Sequence, residues 1–321
     1  MQVVYGTPRE DAFLLKDATF ESLSVHMWNP DRIIHAEPFL PISSGKIQSA
    51  HTKLFGTRWL MGPSRYSVIV AHPNDEVIAA GGLISQLENV TILHVTDGAP
   101  GDQGVAEAAG FSRPSEYARA RREECISALA LANIPEDRIL EFGLSDHNAP
   151  HALADLTRRI AGFLQQSSPD IVLTHPYEGG HPDHDATAFA THAALKLLER
   201  NGLTAPVVFE MALHPGEDGA KRVMDFLPGA GREITTLMLD RRARELKRRM
   251  IDYFDTQGEV LKNSPIGPER FRKPPIYDFT MAPQGGEASY ERLNLGITAD
   301  QWQILARQAW TDLFPDDAAT H

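Results

Sequence analysis

The chain has 321 residues, 42% of them hydrophobic, enough to bury the core of one large α/β domain with additions. Its 31 Lys and Arg stand against 43 Asp and Glu, a formal charge of −12, which argues against nucleic acid or an anionic membrane surface as the main partner and favours a small neutral or cationic ligand. Cys125 is the single cysteine, so neither an internal disulfide nor a multi-thiolate zinc site can form within the chain.

Residues 1–64 carry scattered prolines and glycines without a sustained period, and we read them as an N-terminal extension of short strands and loops, with Trp28, Phe55 and Trp59 packing against the main domain. The opening stretch lacks a basic leader followed by an apolar core. No apolar run approaches the roughly 18 to 20 residues of a membrane helix, so a cytoplasmic protein without a membrane partner is expected. Residues 65–215 form the expected core, and residues 216–321 a C-terminal extension completing the domain and its substrate cleft.

The core begins with a strand, Ser67 to Ala71, followed by apolar residues at helical spacing (Val77, Ile78, Leu83, Ile84, Leu87) and a second strand, Val90 to Thr96. Strand, helix, strand implies a right-handed crossover, and hence a Rossmann-like, doubly wound, mostly parallel α/β sheet. The phrase AHPNDE, Ala71 to Glu76, sits in the turn between the first strand and its helix. Gly81-Gly82 lies inside that helix and is too weak a signal for a dinucleotide site. After the second strand, a loop at 97–102 offers Asp97 and Asp102 as candidate substrate contacts, against the plainer reading of turn aspartates bonded to their own backbone.

A helix over Glu116 to Ala132, capped by Ser115, carries Arg119, Arg121 and Arg122 on a solvated, ion-paired face. A short strand, Ile139 to Phe142, precedes a loop containing Asp146 and His147, and a helix runs from Leu153 to Leu164. The strand Ile171 to Thr174 then enters HPYEGGHPDHD, His175 to Asp185, and a helical pattern through Leu198. Val207 to Met211 is a further strand, followed by a glycine-containing loop with His214. A strand over Thr235 to Asp240 leads to a basic helix with Leu246, Met250 and Phe254 facing inward. The segment Pro265 to Pro283, with Phe271, Tyr277 and Phe279, is placed to close over a cleft, and Thr298 caps a helix from Ala299 to Leu313.

Two strand ends thus carry histidines and carboxylates. If the strands are parallel, both ends lie on one edge, and His72, Asp75 and His184 can meet as a two-histidine, one-carboxylate set with an open position, a catalytic rather than a structural zinc pattern. Zinc suits these ligands best, although another divalent transition metal can use them. Phrases for a serine nucleophile elbow, a zincin helix, a phosphate loop or a dinucleotide fold are absent.

At AHPNDE and HPDH the sequence resembles the PIG-L/LmbE family of zinc-dependent N-acetylglucosaminyl deacetylases, whose motifs read AHPDDE and HPDH. The resemblance extends more weakly over Ser67 to Asn201, including VTDGAPGD and YARARREE. It implies that His72, Asp75 and His184 bind the metal, that His181 acts as electrophile or general acid, and that Asp183 orients a neighbouring histidine. It implies a small-molecule substrate, an N-acylated amino sugar or sugar conjugate; beside it, Asp97, Asp102 and Tyr177 are the candidate substrate contacts. The sequence leaves a homo-oligomer open.

One residue departs from the pattern. Asn74 stands where the family has the aspartate that takes a proton from water, and an amide cannot serve as a base at neutral pH. The function expected is therefore an amide hydrolase attenuated at Asn74. The alternatives are an inactive metal- and ligand-binding homologue, or a metal-site enzyme acting on a different natural product.

Overall fold

The computed structural model describes residues 64–218, 221–227, 233–283 and 288–320, so the expected packing of Trp28, Phe55 and Trp59 lies outside the described residues. Apolar, β-branched runs with no polar alternation form the central strands β1 (Tyr66–Val70) and β4 (Ile171–Thr174), as a sheet covered on both faces requires. With β2 (Val90–Pro100), β3 (Ile139–Asp146), β5 (Val207–Met211), β8 (Ile234–Leu237) and β9 (Glu269–Arg272) they make a seven-stranded sheet in the order β3-β2-β1-β4-β5-β9-β8. The first five are parallel, while β9 runs antiparallel to both β5 and β8. A separate hairpin pairs β6 (His214–Asp218) with β7 (Lys221–Asp225).

Helices cover both faces. On one side α1 (Asp75–Ile84), α3 (Pro114–Ala130) and α6 (Arg241–Ile251) share a core with Val68, Val70 and Leu173. On the other, α4 (Leu153–Ser167), α5 (Pro182–Arg200) and α7 (Ala299–Leu313) pack on Ile69, Leu93 and Val172. A short helix α2 (Gln103–Ala108) follows β2. Among the described residues no helix is long and apolar enough to cross a membrane.

The strand order fixes where a site can form. The chain runs outward from β1 through β2 to β3, then returns to place β4 on the other side of β1, so the direction of winding reverses between β1 and β4. In open α/β sheets ligands bind in the crevice at that reversal, beyond the carboxyl ends of the strands. AHPNDE follows β1 and HPYEGGHPDHD follows β4, and the two strands pair in parallel with Ile69 opposite Thr174.

Several expectations need correction. β2 continues to Pro100 and β3 to Asp146, because the two strands stay paired, with register shifts, as far as Pro100 opposite Asp146. The loop expected after Phe142 is therefore strand, and it delivers Asp146 to the ligand edge. Asp102 caps α2, a helix the sequence reading did not contain. The helix expected from Glu116 begins at Pro114, since proline is compatible with a first turn, and Arg113 rather than Ser115 takes the cap position. The stretch around His214 is a hairpin strand rather than a loop. Finally, the segment from Pro265 supplies β9, and Phe271 and Phe279 lie in the core.

Helix α1 is buried throughout and is interrupted at Ala80, whose φ of −142° is not helical. The interruption frees the amides of Gly82 and Leu83, which donate to the Glu269 carboxylate of β9 at 2.7 and 2.8 Å. Lys247 of α6 neutralises that carboxylate at 2.8 Å, and the whole arrangement is buried. A Cβ at Gly82 would stand 2.6 Å from the Leu239 side-chain methyls, so Leu239 packs closely on the helix there.

Candidate active site

Three donor atoms converge at the β1/β4 crevice. His72 Nδ1 lies 3.2 Å from Asp75 Oδ2 and 3.2 Å from His184 Nε2, and the last two atoms are 3.4 Å apart. Ligand atoms arranged tetrahedrally about a zinc at ~2.0–2.2 Å stand roughly 3.3–3.6 Å from one another, so these three fit one side of such an ion. The chemistry fits as well: two imidazoles and a carboxylate turn lone pairs toward a common point.

The surroundings orient each donor. Asp75 Oδ2 accepts the backbone N–H of His72 at 2.8 Å, which holds the carboxylate in the first turn of α1. The other nitrogen of His72, Nε2, stands 2.9 Å from Asp146 Oδ1 and 3.3 Å from Asp183 Oδ2. A carboxylate behind a ligating imidazole fixes the tautomer that presents the opposite nitrogen to a metal and makes it more basic. Asp183 is itself anchored by the amides of His147 (2.6 Å) and Ala149 (3.0 Å), tying the end of β3 to α5. It thus orients His72, whereas its contact with His181 is through its own backbone.

His175 is the first residue of the second phrase but is not a fourth donor. Its Nε2 accepts the Ala71 N–H at 2.9 Å, so its lone pair is engaged, and its ring stacks on His184 at 4.1 Å with an interplanar angle of 8°. It braces the His184 ring. His181 caps α5: its Nδ1 accepts the Asp183 N–H at 3.2 Å, which leaves the proton on Nε2, the atom facing the site at 4.0 Å from Asp146.

Electrostatics favour a cation at this point. Burial opposes charge on His72, but Asp146 and Asp75 outweigh it and hold the imidazole pKa well above its ordinary value. Burial would likewise raise Asp75, yet His184 and His72 hold it well below the usual carboxylate range. Burial and the neighbouring histidines push His181 well down and His175 to about 4, keeping both neutral. Burial raises Asp183, with the nearby Asp146 adding to it, whereas His72 overcomes burial to keep Asp146 low.

Asn74 lies between the two donors of the first phrase, 6% exposed, with φ 146° and ψ −23°, outside the regions a non-glycine residue ordinarily occupies. Its backbone is held on both sides: its carbonyl accepts from Val77 and Ile78, each at 3.0 Å, and its N–H donates to Glu76 Oε2 at 3.3 Å. Glu76 is fixed in turn by His94 (3.1 Å) and the Cys125 thiol (3.4 Å), all three buried. The Asn74 side chain makes no capping bond to the helix it begins.

The remaining sequence candidates divide. Asp97 is half-buried, accepts the Ala99 N–H at 2.9 Å, and has a pKa raised by burial. Asp102 accepts from Gly104 and Val105 as the cap of α2, at the exposed rim. Tyr177 is buried and donates to the Met281 carbonyl at 2.7 Å, which commits it to packing the C-terminal segment. Sequence reasoning set aside Asp146, which proves to be the nearest carboxylate behind His72, and gave Arg121 a solvated role. Arg121 is buried and donates to the carbonyls of Pro73 (3.1 Å) and Gly98, joining the loops after β1 and β2. Gly98, at φ 68°, is the one residue that admits it, since a Cβ would collide with the guanidinium.

Residues 67–195 match the family model described as PIG-L, GlcNAc-PI de-N-acetylase. A 1D-myo-inositol 2-acetamido-2-deoxy-alpha-D-glucopyranoside deacetylase of Tsukamurella paurometabola is 29% identical over 175 residues, 43% of this chain and 57% of that protein. A second deacetylase of that description, from Catenulispora acidiphila, is 28% identical over 143 residues, 37% and 44% of the two chains. The chain therefore spans about half the length of the curated relatives it matches. Among solved structures, the A40926 pseudoaglycone deacetylase Dbv21 superposes with a TM-score of 0.51 at 22% identity, covering 66% of this chain and 97% of its own. A deacetylase of the teicoplanin biosynthesis pathway gives 0.50 at 18%, over 65% and 97%. These likenesses are of fold. Both motif phrases and all three converging donors fall inside the segment that matches the family model, residues 67–195.

Proposed function

We propose that the protein is a metal-dependent amide hydrolase that removes the acyl group from an N-acylated amino sugar or sugar conjugate. The observation that carries this reading is the convergence of His72 Nδ1, Asp75 Oδ2 and His184 Nε2 within 3.2–3.4 Å of one another at the crevice between β1 and β4. The names of the relatives, deacetylases of a 2-acetamido-2-deoxy-glucopyranoside, supply the substrate class.

In this reading His72, Asp75 and His184 hold zinc or another divalent transition metal. Such an ion, held there, would supply Lewis-acid polarisation of the amide carbonyl and a lowered pKa for water. Asp146 and Asp183 keep the Nε2 proton of His72, so that Nδ1 stays a donor. His181, neutral and with Nε2–H outward, donates a hydrogen bond to the developing oxyanion and then gives a proton to the departing amine. Asp97 and Asp102 line the rim, where they suit a sugar's hydroxyls or a cationic substituent better than a phosphate.

Asn74 occupies the position of the base and favours a second reading, a protein that holds its metal and amide substrate with little turnover. One experiment separates the two. Zinc-loaded natural-sequence protein and Asn74→Asp are assayed on a panel of N-acetylated amino sugars, with substrate binding measured in parallel by calorimetry. Asn74→Asp is expected to raise the rate about a hundredfold or more, because a carboxylate of nearly equal size restores general-base catalysis. Equal rates for the two forms on a substrate that both bind would refute the role given to position 74. The absence of turnover in both would refute the hydrolase.

A further inference from the structure

Beneath the first phrase, on the side of the sheet covered by α1 and α3, three further side chains converge. Glu76 comes from α1, His94 from β2 and Cys125 from α3, and they are 0%, 1% and 1% exposed. Glu76 Oε2 stands 3.1 Å from His94 Nε2, Glu76 Oε1 stands 3.4 Å from Cys125 Sγ, and Sγ stands 3.9 Å from His94 Nε2. We propose that Glu76, His94 and Cys125 form a second metal site, separate from the β1/β4 crevice, that holds zinc or a similarly thiophilic divalent ion in a structural role.

Three observations carry it. First, the separations suit an ion. With Zn–S about 2.3 Å and Zn–N or Zn–O about 2.0–2.1 Å, tetrahedral donors stand roughly 3.6 Å apart when one is sulfur and roughly 3.3 Å apart otherwise. The triangle brackets those values. Second, the donor set closes on itself. The Glu76 carboxylate turns one oxygen toward each partner, so its two oxygens, the imidazole nitrogen and the sulfur make up a fourfold set with no open position. A closed set marks a structural site, whereas His72, Asp75 and His184 leave a position for water. Third, the charge calls for a cation. Among the described residues neither a lysine nor an arginine pairs with the wholly buried Glu76, whose contacts are His94, the Cys125 thiol and the Asn74 N–H. Buried carboxylates are ordinarily paired with a cation or bound to a metal.

Binding is an exchange of protons for an ion, with nothing oxidised or reduced. The Cys125 thiol donates to Glu76 Oε1, and an entering ion displaces that proton to solvent and leaves a thiolate on the metal. His94 then carries its proton on Nδ1, so that the Nε2 lone pair ligates. One thiolate and one carboxylate balance a divalent charge, and the buried site is neutral. Sulfur among the donors favours zinc over calcium or magnesium. The ion would join α1, β2 and α3 directly under AHPNDE, while Glu76 Oε2 keeps its bond to the Asn74 backbone.

The test uses cobalt(II), whose spectrum distinguishes a sulfur ligand from nitrogen and oxygen. Full-length protein is produced in cobalt-supplemented, zinc-depleted medium, so that the ion is present while the chain folds around a buried site. The expected result is about two cobalt ions per chain by elemental analysis, one for each donor set, with a thiolate-to-cobalt charge-transfer band in the near ultraviolet. Cys125→Ser should lose the band and one cobalt, whereas His184→Ala should lose one cobalt and keep the band. If Cys125→Ser fails to fold, the spectrum of the natural sequence still decides, and His94→Gln replaces the variant, with the same loss expected. Cobalt-loaded natural protein without the band overturns the proposal, as does a band that survives in Cys125→Ser. A single cobalt with the band upholds this site and refutes ligation by His72, Asp75 and His184; a single cobalt without it refutes this site and leaves the crevice reading standing.

Discussion

Replacing Asp146 tests whether the carboxylate behind His72 strengthens metal binding. Asp146 Oδ1 is the nearer acceptor for His72 Nε2, at 2.9 Å against 3.3 Å for Asp183 Oδ2. Loss of such a partner lowers metal affinity by about tenfold to a hundredfold. Asparagine keeps an oxygen in place of Oδ1 and loses only the charge, and Asp183 remains behind the ring. Asp146→Asn should therefore fall at the weak end, about tenfold or roughly 1.4 kcal/mol. Asp146→Ala removes the acceptor as well and should approach a hundredfold. Zinc affinity is measured by competition with a chromogenic chelator at two pH values. The same carboxylate raises the proton affinity of His72, so the penalty should be larger at high pH, where protons no longer compete for the imidazole. Zinc binding by Asp146→Ala within about twofold of the natural sequence at both pH values would refute the reasoning.

Other outcomes follow from the same geometry. His181→Ala should keep its zinc by elemental analysis yet abolish hydrolysis in the Asn74→Asp background, since the Asp183 N–H already occupies His181 Nδ1; zinc loss equal to that in His184→Ala would show that the two roles are exchanged. Lys247→Met leaves the Glu269 carboxylate buried without its cation and should cost about 3–5 kcal/mol in denaturant unfolding; a loss under 1 kcal/mol would mean the amides of Gly82 and Leu83 suffice. Burial lowers His192 to about 4, so the folded state resists its protonation, and stability should fall as pH drops from 6.5 toward 4. His192→Phe should remove up to about 3 kcal/mol of that acid-side slope, and an unchanged slope would assign it to other groups.

The strands β1 and β4, the two phrases after them and the capped helix α7 were legible because each rests on a local signal: an apolar run, a metal-ligand spacing, a threonine before a helical period. Parallel pairing then brought His72, Asp75 and His184 together. Asp146 was not legible, because its place depends on β3 continuing beside β2 past Phe142, a pairing decided by register shifts rather than by hydrophobic alternation. Arg121 sits among arginines and glutamates that locally read as a solvated face, and its burial follows from Gly98, 23 residues earlier. β9 was hidden by the prolines around it, since its two partner strands are separated from it by long stretches of chain.

The break in α1 at Ala80 also bears on when the site can become rigid. The helix that begins with Asp75 completes its second half only by donating to Glu269, 186 and 187 residues further on. A contact of that sequence separation forms late, because its loop-closure cost falls due before the contact gives any return. During synthesis, then, both histidine-bearing phrases emerge long before the strand that steadies the helix beneath them. A fragment ending with the family segment at residue 195 would contain every converging donor, yet it would leave the amides of Gly82 and Leu83 without their acceptor. In such a fragment the second half of α1, beyond Ala80, should exchange its amide hydrogens rapidly, and it should become protected only in chains long enough to include β9.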